Sequence, residues 1–487
     1  MEFDNEIELK NNKLIDNAKK ASSYNIITLS ILLIINIILI ISLIIAIASF
    51  TTEKDKTKKI FSPQMRNNAN YLNEIKAIYY INDITSKTKI INEPNDDLNI
   101  KLFINGEAKT FNTEYQFEKK GEYSVEFKFN EELTDLSSLF MKITTLKSID
   151  LTGLKTNKVK SMNKLFNDCL SLEKADLSYL DTSNVESTIS MFEGCINLKE
   201  LNMEQFTTLN TKYADSMFEN CYNLPKIDIN YFDLTKTESA IYMFKGCYLL
   251  KEVSLKNDGG KDSSTISLKS AFSNCYSLKN INLKNFKRKS VNKIDFMFNN
   301  CNSLESIDLS KFETSQVKSI SYLFSNCTSL SSIDISYMDF SNVEDMGYAF
   351  RYCTALEEID LSNFDTSKVI AMSGLFFGCK SLKTIELNKY KISITSLNDL
   401  FNGCTSLSTV TLNVTSVKSV DRVFKNCNNL KLMDLSGFNS NDIAFYVEEF
   451  FPTKTLNTII IYNSTLFTKL ERRIPSGWTK VDVEKNE

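Results

Sequence analysis

The sequence predicts an α/β repeat solenoid of about 12 units of about 26 residues, with one parallel β-sheet face. Three observations carry this prediction. All eleven cysteines occupy one phase of a repeat, with successive gaps of 23 to 28 residues. Each cysteine has a Phe three residues before it and a Leu three residues after it. Mostly aliphatic side chains stand six and eight residues after each cysteine, which is the alternation of a short β-strand.

The cysteine defines position 0 of the repeat, and the other positions are counted from it. A twelfth unit precedes the cysteines, and Ile143 occupies its position 0. We number the units as coils, from coil 1 at Ile143 to coil 12 at Cys427. One unit cannot bury its own apolar side, so the coils must stack to form a continuous core. The cysteines are Cys169, Cys195, Cys221, Cys247, Cys275, Cys301, Cys327, Cys353, Cys379, Cys404 and Cys427.

The segment that returns the chain from one strand to the next is predicted to be helical. In NVEDMGYAF, residues 342–350, apolar residues recur three or four positions apart. That spacing places them on one face of a short helix. The return is the source of the α component in the predicted α/β class.

The N-terminal region contains one strongly apolar segment. Residues 1–23 are a short polar tail, and residues 24–50, YNIITLSILLIINIILIISLIIAIASF, contain no charged residue. A stretch of this length spans a bilayer as a helix, so we predict a transmembrane signal-anchor. Ala46 and Ala48 fit a signal-peptidase site, and a cleaved, secreted form is the alternative. Lysines flank the segment equally on both sides and do not decide the topology. We expect a single-pass membrane protein with its repeats outside the cell.

Three further regions follow from the patterning. Residues 51–70 are a charged spacer, and residues 71–131 are rich in β-strand patterns. Asn105-Gly106 between alternating apolar residues predicts a β-hairpin. This region is either a small β domain or an N-terminal cap for the solenoid, which spans 132–438. The period is lost after Phe438, and 439–487 is predicted to be a C-terminal cap, with Trp478 as a packing residue.

Composition excludes several classes of function. The chain has no histidine, which removes the usual general base and a common metal ligand. The net charge is −3, so the chain lacks the excess of basic residues that is typical of proteins that bind nucleic acid. Cysteine gaps of 23 or more do not match zinc-site spacing. We predict no cofactor, no metal and no enzymatic activity. The cysteines are expected to fill the core, with disulfides between neighbouring coils as the alternative.

The most suggestive polar column lies at position +7, between the two aliphatic residues of each strand. Strand alternation points its side chains outward from the sheet, where carboxylates would bind cations or a basic partner. The alternative is that a short polar residue satisfies backbone groups at the strand end. The acidic members of the column, our candidate partner-binding residues, are Asp150, Asp176, Asp228, Asp308, Asp334, Asp360, Glu386 and Asp434.

The repeat resembles that of the BspA-like leucine-rich-repeat surface proteins. The resemblance rests on M-F-x-x-C-x-x-L-x-x-[LI]-D-L-S-x-F-D-T-S-x-V, most plainly in residues 191–203 and 356–369. It implies a leucine-rich-repeat fold and a surface protein with a role in adhesion. We therefore expect the sheet face to bind a protein or glycan ligand, with residues 24–50 in the membrane. The alternative is a structural coat or scaffold protein that self-associates through its solenoid.

Overall fold

A computed structural model describes residues 73–94, 99–227, 233–255, 265–282, 287, 289–362, 365, 367–441, 443, 449–452 and 457–484. The predicted membrane segment, 24–50, lies outside these residues, as do the polar tail and the spacer. Within the described part of the chain, no helix has the length and apolarity needed to cross a bilayer.

Among the described residues, six strands precede the repeats; four of them continue the solenoid's sheet, and the other two form a separate two-stranded sheet. The hairpin predicted at Asn105-Gly106 is present, and both residues have positive φ, as a type I′ turn requires. The sheet order is β4-β3-β6-β1-β7-β8-β9, in which β1 pairs antiparallel with the first repeat strand, β7 (Leu146–Asp150). Of the six strands, β1, β3, β4 and β6 extend the sheet beyond coil 1, and β2 and β5 pair with each other in a second sheet. The six strands are β1 (Glu74–Ile81), β2 (Thr88–Lys89), β3 (Ile100–Ile104), β4 (Glu107–Lys109), β5 (Glu114–Tyr115) and β6 (Gly121–Phe129).

The repeats form a parallel solenoid, as the sequence predicts. Strands at positions +5 to +7 pair in register from coil to coil, so that Asp150 lies opposite Asp176. A final sheet, in the order β15-β16-β17-β18-β19, joins the last coils to the C-terminal region. The remaining strands are β8 (Lys174–Asp176), β9 (Glu200–Asn202), β10 (Glu252–Ser254), β11 (Ile266–Ser267), β12 (Asn280–Asn282), β13 (Lys289–Lys293), β14 (Phe312–Glu313), β15 (Thr384–Ser393), β16 (Thr409–Thr415), β17 (Leu432–Leu435), β18 (Ile459–Tyr462) and β19 (Thr479–Asp482). Two 3₁₀ turns, Leu309–Lys311 and Glu471–Arg473, complete the elements.

The sheet face is less continuous than predicted. Coils 7, 8 and 9 carry no strand around position +7 among the described residues, although neighbouring coils do. These coils present Asp308, Asp334 and Asp360 in one column. Repulsion between like charges does not by itself account for this, because Asp150 and Asp176 lie opposite each other in a paired ladder.

The prediction of a helical return is wrong, because the described residues contain no α-helix. The return is instead a series of tight turns bonded to the next coil. Met162, Lys164 and Phe166 donate their backbone N–H groups to the carbonyls of Ser187, Ile189 and Met191, at 3.0, 2.8 and 2.8 Å. A helix would use these donors internally. Here every second residue bonds along the solenoid axis.

Positive φ at two positions in each return enforces this geometry. Position −5 has φ of 56° at Lys164 and 58° at Tyr348, and position −1 has φ of 59° at Asp168. A left-handed residue every fourth position interrupts a right-handed helix. Position −1 is accordingly occupied mainly by Gly, Asn and Asp, which tolerate this conformation.

The core is organised around a ladder of twelve stacked Phe rings at position −3. Successive centroids lie 5.2 to 5.9 Å apart, from Phe140 in coil 1 to Phe424 in coil 12. Edge-on rings close both ends: Phe127 of β6 meets Phe140, and Phe450 meets Phe424. Trp478 packs edge-on against Phe451 and is buried, as predicted.

Candidate functional site

All eleven cysteines are free, fully buried and hydrogen-bonded in one repeated way. Each thiol donates to the backbone carbonyl of the Phe at position −3 of the preceding coil. Cys301 Sγ, for example, lies 3.1 Å from the carbonyl oxygen of Phe272. The other ten bonds measure 3.0 to 3.2 Å. The core-filling interpretation is therefore correct for these thiols, and the thiol also serves as a donor.

This bond explains why coil 1 departs from the pattern. Ile143 has no preceding coil, so no Phe carbonyl is available for a thiol at that position. An aliphatic side chain of similar character fills the space without an unpaired S–H group. Burial raises the pKa of the thiols, to about 12 at Cys353 and Cys427. A buried thiol with a raised pKa is a poor nucleophile and a poor metal ligand.

The acidic column at position +7 is spread over different environments. Asp308, Asp334, Asp360 and Glu386 are exposed in four consecutive coils, from 7 to 10. Asp176 and Asp434 are half-buried, and Asp150 is buried. Asp228 lies outside the described residues. The structure thus brings four of the eight candidate residues together as one exposed row.

Each described Asp of the column also has a local backbone role. One carboxylate oxygen accepts the N–H of the residue two positions later, from Ser310 to Asp308 at 3.0 Å and from Ser336 to Asp334 at 2.9 Å. These are Asx turns, and they stabilise the bend at the strand end. The Ser336 hydrogen bonds lower the pKa of the Asp334 carboxyl, which therefore stays ionised.

Asp150 is the exception in the column. It lies at the junction between β1 and coil 1, opposite Lys76 in the register. Burial raises the pKa of its carboxyl, and Asp176 on the next coil raises it further. Its environment resembles a structural junction more than a binding surface.

Ion pairs between neighbouring coils balance the charge over much of the sheet face. Lys199 pairs with Glu173 at 3.3 Å, and Lys174 pairs with Glu200 at 3.1 Å. Coils 7 to 10 also carry ion pairs, from Lys279 to Glu305 at 3.2 Å, from Lys311 to Asp308 at 3.9 Å and from Lys383 to Glu357, but their acidic residues outnumber these lysines. The acidic residues at positions +4, +5 and +7 of these coils are Glu305, Asp308, Asp334, Glu357, Glu358, Asp360 and Glu386.

The described residues contain no group of His, Cys, Asp and Glu side chains arranged to hold a metal ion. The interior cavity lined by Met297, Leu309, Phe312 and Met338 has a volume of about 10 Å³. This is the size of one water molecule, and the lining is almost wholly apolar. Along the described coils, the arrangement offers an extended surface for binding.

Sequence reasoning missed two sets of surface residues. Tyrosines at position +1 stack at 4.4 Å between Tyr222 and Tyr248 and at 5.0 Å between Tyr248 and Tyr276. Asn326 donates to Asn300 at 2.7 Å, which donates in turn to Asn274 at 2.7 Å. Both sets recur at single repeat positions, so aligning the coils by their cysteines would have revealed them.

Comparison with known protein families gives one match. The family model described as "Mycoplasma protein of unknown function, DUF285" matches residues 134–257, 266–390 and 349–463, which together make up more than half of the chain. The break between the first two matches, residues 258–265, falls in coil 5, where the gap between Cys247 and Cys275 is the longest of the repeat, at 28 residues. No curated protein matches the chain.

Several solved structures resemble the chain at low identity, among them two leucine-rich-repeat proteins and an internalin. One from Bacteroides ovatus has 17% identity and a TM-score of 0.35, over 66% of this chain and 77% of that one. One from T. pallidum has 18% identity and a TM-score of 0.24, and the match covers 48% of this chain and 89% of that one. An internalin from Listeria monocytogenes has 15% identity and a TM-score of 0.23, and the match covers 62% of this chain and 83% of that one.

Proposed function

This chain belongs to the DUF285 family of Mycoplasma proteins of unknown function, and we propose that its solenoid binds a macromolecular partner on the sheet face without catalysis. We further propose that it is a BspA-like surface protein, anchored by residues 24–50 with its repeats outside the cell. Adhesion or recognition of a protein or glycan is then its role. A repeat array suits this function because it offers a long, regular surface.

The observation that carries the proposal is the exposed acidic row of coils 7 to 10. Asp308, Asp334, Asp360 and Glu386 project from consecutive coils, whose stacked Phe rings lie 5.4 to 5.7 Å apart. Carboxylates at this spacing repel one another, and a basic partner would relieve that repulsion. The row is thus suited to a partner with a complementary line of Lys or Arg side chains.

The Asx turns make a clean substitution test available. Replacing Asp308, Asp334 and Asp360 by Asn removes three charges, while the amide oxygen still accepts the N–H bonds of the turns. We expect the affinity for the partner to fall at least tenfold, with the unfolding temperature unchanged. The measurement uses full-length chain in mild detergent against an array of host surface proteins and glycans, followed by titration of the strongest ligand.

A matched control lies at position +12 of the same repeat. Asp181, Asp339 and Asp365 make equivalent turns, with Ser341 N–H lying 2.9 Å from Asp339. Changing these three to Asn removes the same charge away from the sheet face. Equal loss of affinity in both triple variants would point to net charge alone, and unchanged affinity in the first would exclude the acidic row.

The anchor and topology have their own test. Protease added to intact cells should release the repeat region if residues 24–50 hold it outside the membrane. Protection in intact cells that disappears after permeabilisation would place the repeats inside. Recovery of the chain from the medium, starting after Ala48, would identify the cleaved form.

A structural coat is the alternative function, and the two predict different assemblies. A coat protein forms extended arrays at increasing concentration without any ligand. A recognition protein keeps a defined size and retains a discrete partner. Light scattering of the full-length chain across a concentration series separates them.

A further inference from the structure

Aromatic rings surround one arginine on the return face, the surface formed by the return segments. Arg351 stands at position −2 of coil 9, and its guanidinium carbon lies 4.5 Å from the ring centroid of Tyr352 and 5.7 Å from that of Phe377. The two rings stand at 84° to each other, so the guanidinium lies in the angle between them. Contact with aromatic rings holds a planar guanidinium in place. We call Arg351, Tyr352, Phe377, Tyr322 and Tyr348 the arginine cluster.

Two tyrosine hydroxyls belong to the cluster. Tyr322 and Tyr348, at position −5 of coils 8 and 9, are half-buried and stack with their ring centroids 5.0 Å apart. Burial and then Tyr348 raise the pKa of the Tyr322 hydroxyl, whereas the charge of Arg351 lowers it. Asp345 has the smallest effect on this pKa, so the guanidinium outweighs the nearby carboxylate at the hydroxyl. Neither hydroxyl bonds to another described residue, and both remain available to a ligand.

Glycines in coil 10 fix two of the rings. A Cβ on Gly374 would lie 2.2 Å from the ring of Tyr348, and a Cβ on Gly378 would lie 2.3 Å from the ring of Tyr352. Each ring therefore lies against the backbone of coil 10, in space that a side chain there would fill. A cluster that is already rigid loses little conformational entropy when it binds a ligand.

The charge of Arg351 is not balanced by an ion pair with any described residue. The other described cations at position −2 are paired: Lys245 with Glu219 at 2.8 Å, and Lys425 with Glu449. The neighbours of Arg351 at this position, in coils 8 and 10, are a serine and a phenylalanine. Its N–H donors are therefore free for an anion, in apolar surroundings that strengthen a charge-assisted hydrogen bond.

The backbone beneath the cluster offers no donors to a peptide. Tyr348 and Tyr352 donate their N–H groups to the carbonyls of Ser373 and Phe377 in coil 10, at 3.0 and 2.6 Å. A peptide that binds as an added strand needs unpaired backbone groups. A ligand of the cluster must instead be recognised by the guanidinium, the hydroxyls and the ring surfaces.

We propose that the arginine cluster binds a sugar that carries a carboxylate. The guanidinium takes the carboxylate in a bidentate pair, for which its planar fork is suited. The hydroxyls of Tyr322 and Tyr348 bond to sugar hydroxyls, and the rings contact the apolar C–H groups of the sugar. This site takes an anion on the return face, whereas the acidic row on the sheet face takes a basic partner. Either proposal can therefore fail without the other.

A binding screen tests the class of ligand. The full-length chain, in a detergent without a sugar headgroup, is applied to sialylated and uronate-containing oligosaccharides, their neutral and sulfated counterparts, and acidic peptides. We expect carboxylated sugars to bind at least tenfold more tightly than their neutral counterparts. Absence of binding to every carboxylated sugar would overturn the proposal. Equal or tighter binding of the neutral sugars, the sulfated sugars or the acidic peptides would also overturn it.

Substitution of Arg351 tests the site itself. Arg351→Gln removes the charge, and Arg351→Lys keeps the charge without the planar fork. Both should weaken binding of the tightest carboxylated sugar at least tenfold, with the unfolding temperature unchanged. Lys318→Gln is the matched control, because it removes one exposed charge at position −9 of coil 8. Retained affinity in either Arg351 variant, or an equal loss in the control, would overturn the proposal.

A variant that preserves every ring provides an independent measurement. Tyr322→Phe with Tyr348→Phe removes both hydroxyls and leaves the stacked rings in place. We expect severalfold weaker binding of the same sugar, measured by calorimetric titration, with the unfolding temperature unchanged. Affinity equal to that of the native chain would overturn the role proposed for the cluster.

Discussion

One aspartate position has opposite electrostatic consequences at different points in the array. Asp150 and Asp334 both occupy position +7, and both accept a backbone N–H from two residues later. Burial raises the pKa of the Asp150 carboxyl, whereas the Ser336 hydrogen bonds lower the pKa of Asp334. The repeat therefore fixes the turn, and the surroundings decide whether the charge stabilises the fold.

Replacing Asp150 by Asn should stabilise the protein at neutral pH. A carboxyl whose pKa is raised on folding contributes stability below its unfolded pKa, and that stability is lost as pH rises through the folded value. Asn keeps the acceptor for Thr152 and carries no charge. The expected result is a higher free energy of unfolding than the native chain at pH 7 and no difference near pH 3, measured by urea denaturation.

Asp334→Asn provides the matched comparison, because the pKa of the Asp334 carboxyl is lowered rather than raised. A carboxyl with a lowered pKa contributes stability above its unfolded pKa and loses it as pH falls. This variant should show no gain at pH 7. An equal gain in both variants would contradict the role assigned to burial at Asp150.

At the scale of the element, the return segment is defined by its left-handed positions. Gly378 and Gly403 both stand at position −1, with φ of 72° and 81°. A Cβ on Gly378 would lie 2.3 Å from the ring of Tyr352, which covers it. A Cβ on Gly403 would meet nothing closer than 3.4 Å. The two sites separate backbone strain from steric overlap.

Gly378→Ala should be more destabilising than Gly403→Ala. The positive φ costs each variant about 1 kcal/mol. Overlap with Tyr352 should add about 1–3 kcal/mol at Gly378 alone. Urea unfolding of both variants measures the difference, and equal losses would show that the Tyr352 ring moves aside freely.

The sequence predicted the strands and the core columns but not the return. Cys, Phe and Leu recur at fixed positions because each fills the same place in every coil. The return in 342–350 was predicted as helical because its apolar spacing of three and four also suits successive turns. Gly, Asn and Asp at position −1 were the evidence against a helix, because these residues share a tolerance of positive φ, which a right-handed helix does not contain. The burial of Asp150 depends on β1, a long-range contact that no local pattern reveals.

At the scale of the whole molecule, stability is distributed along the ladder of coils. Each coil contacts mainly its neighbours, although Lys289 of coil 6 donates to the carbonyl of Thr235 in coil 4, so the loss of one contact is felt mostly locally. Phe298 stacks on both faces, at 5.7 and 5.4 Å, in the middle of the array. Phe424 stacks on one face and meets Phe450 edge-on. The centre and the end should therefore respond differently to the same change.

Phe298→Ala should reduce stability by about 3–5 kcal/mol through the cavity it leaves. Hydrogen exchange should accelerate most in coils 6 to 8, with protection retained in coils far from the change. Phe424→Ala should accelerate exchange at the C-terminal end alone. Uniform acceleration along the chain in either variant would show that the array unfolds as a single cooperative unit.

The direction of the bonds between return segments has a consequence for how such a chain changes in length. The described N–H donors at positions −7, −5, −3 and −1 point to the following coil, whereas the N–H groups of Glu186 and Glu344, at position −9, and every thiol point to the preceding one. The donors on one side of a coil thus match the acceptors on the opposite side of the next coil, and this match is the same for every pair of coils. A coil can be duplicated or deleted without altering its neighbours, whereas the terminal segments are each made for one side only. We therefore expect the fold to tolerate a change in the number of coils more readily than a change in either terminal segment.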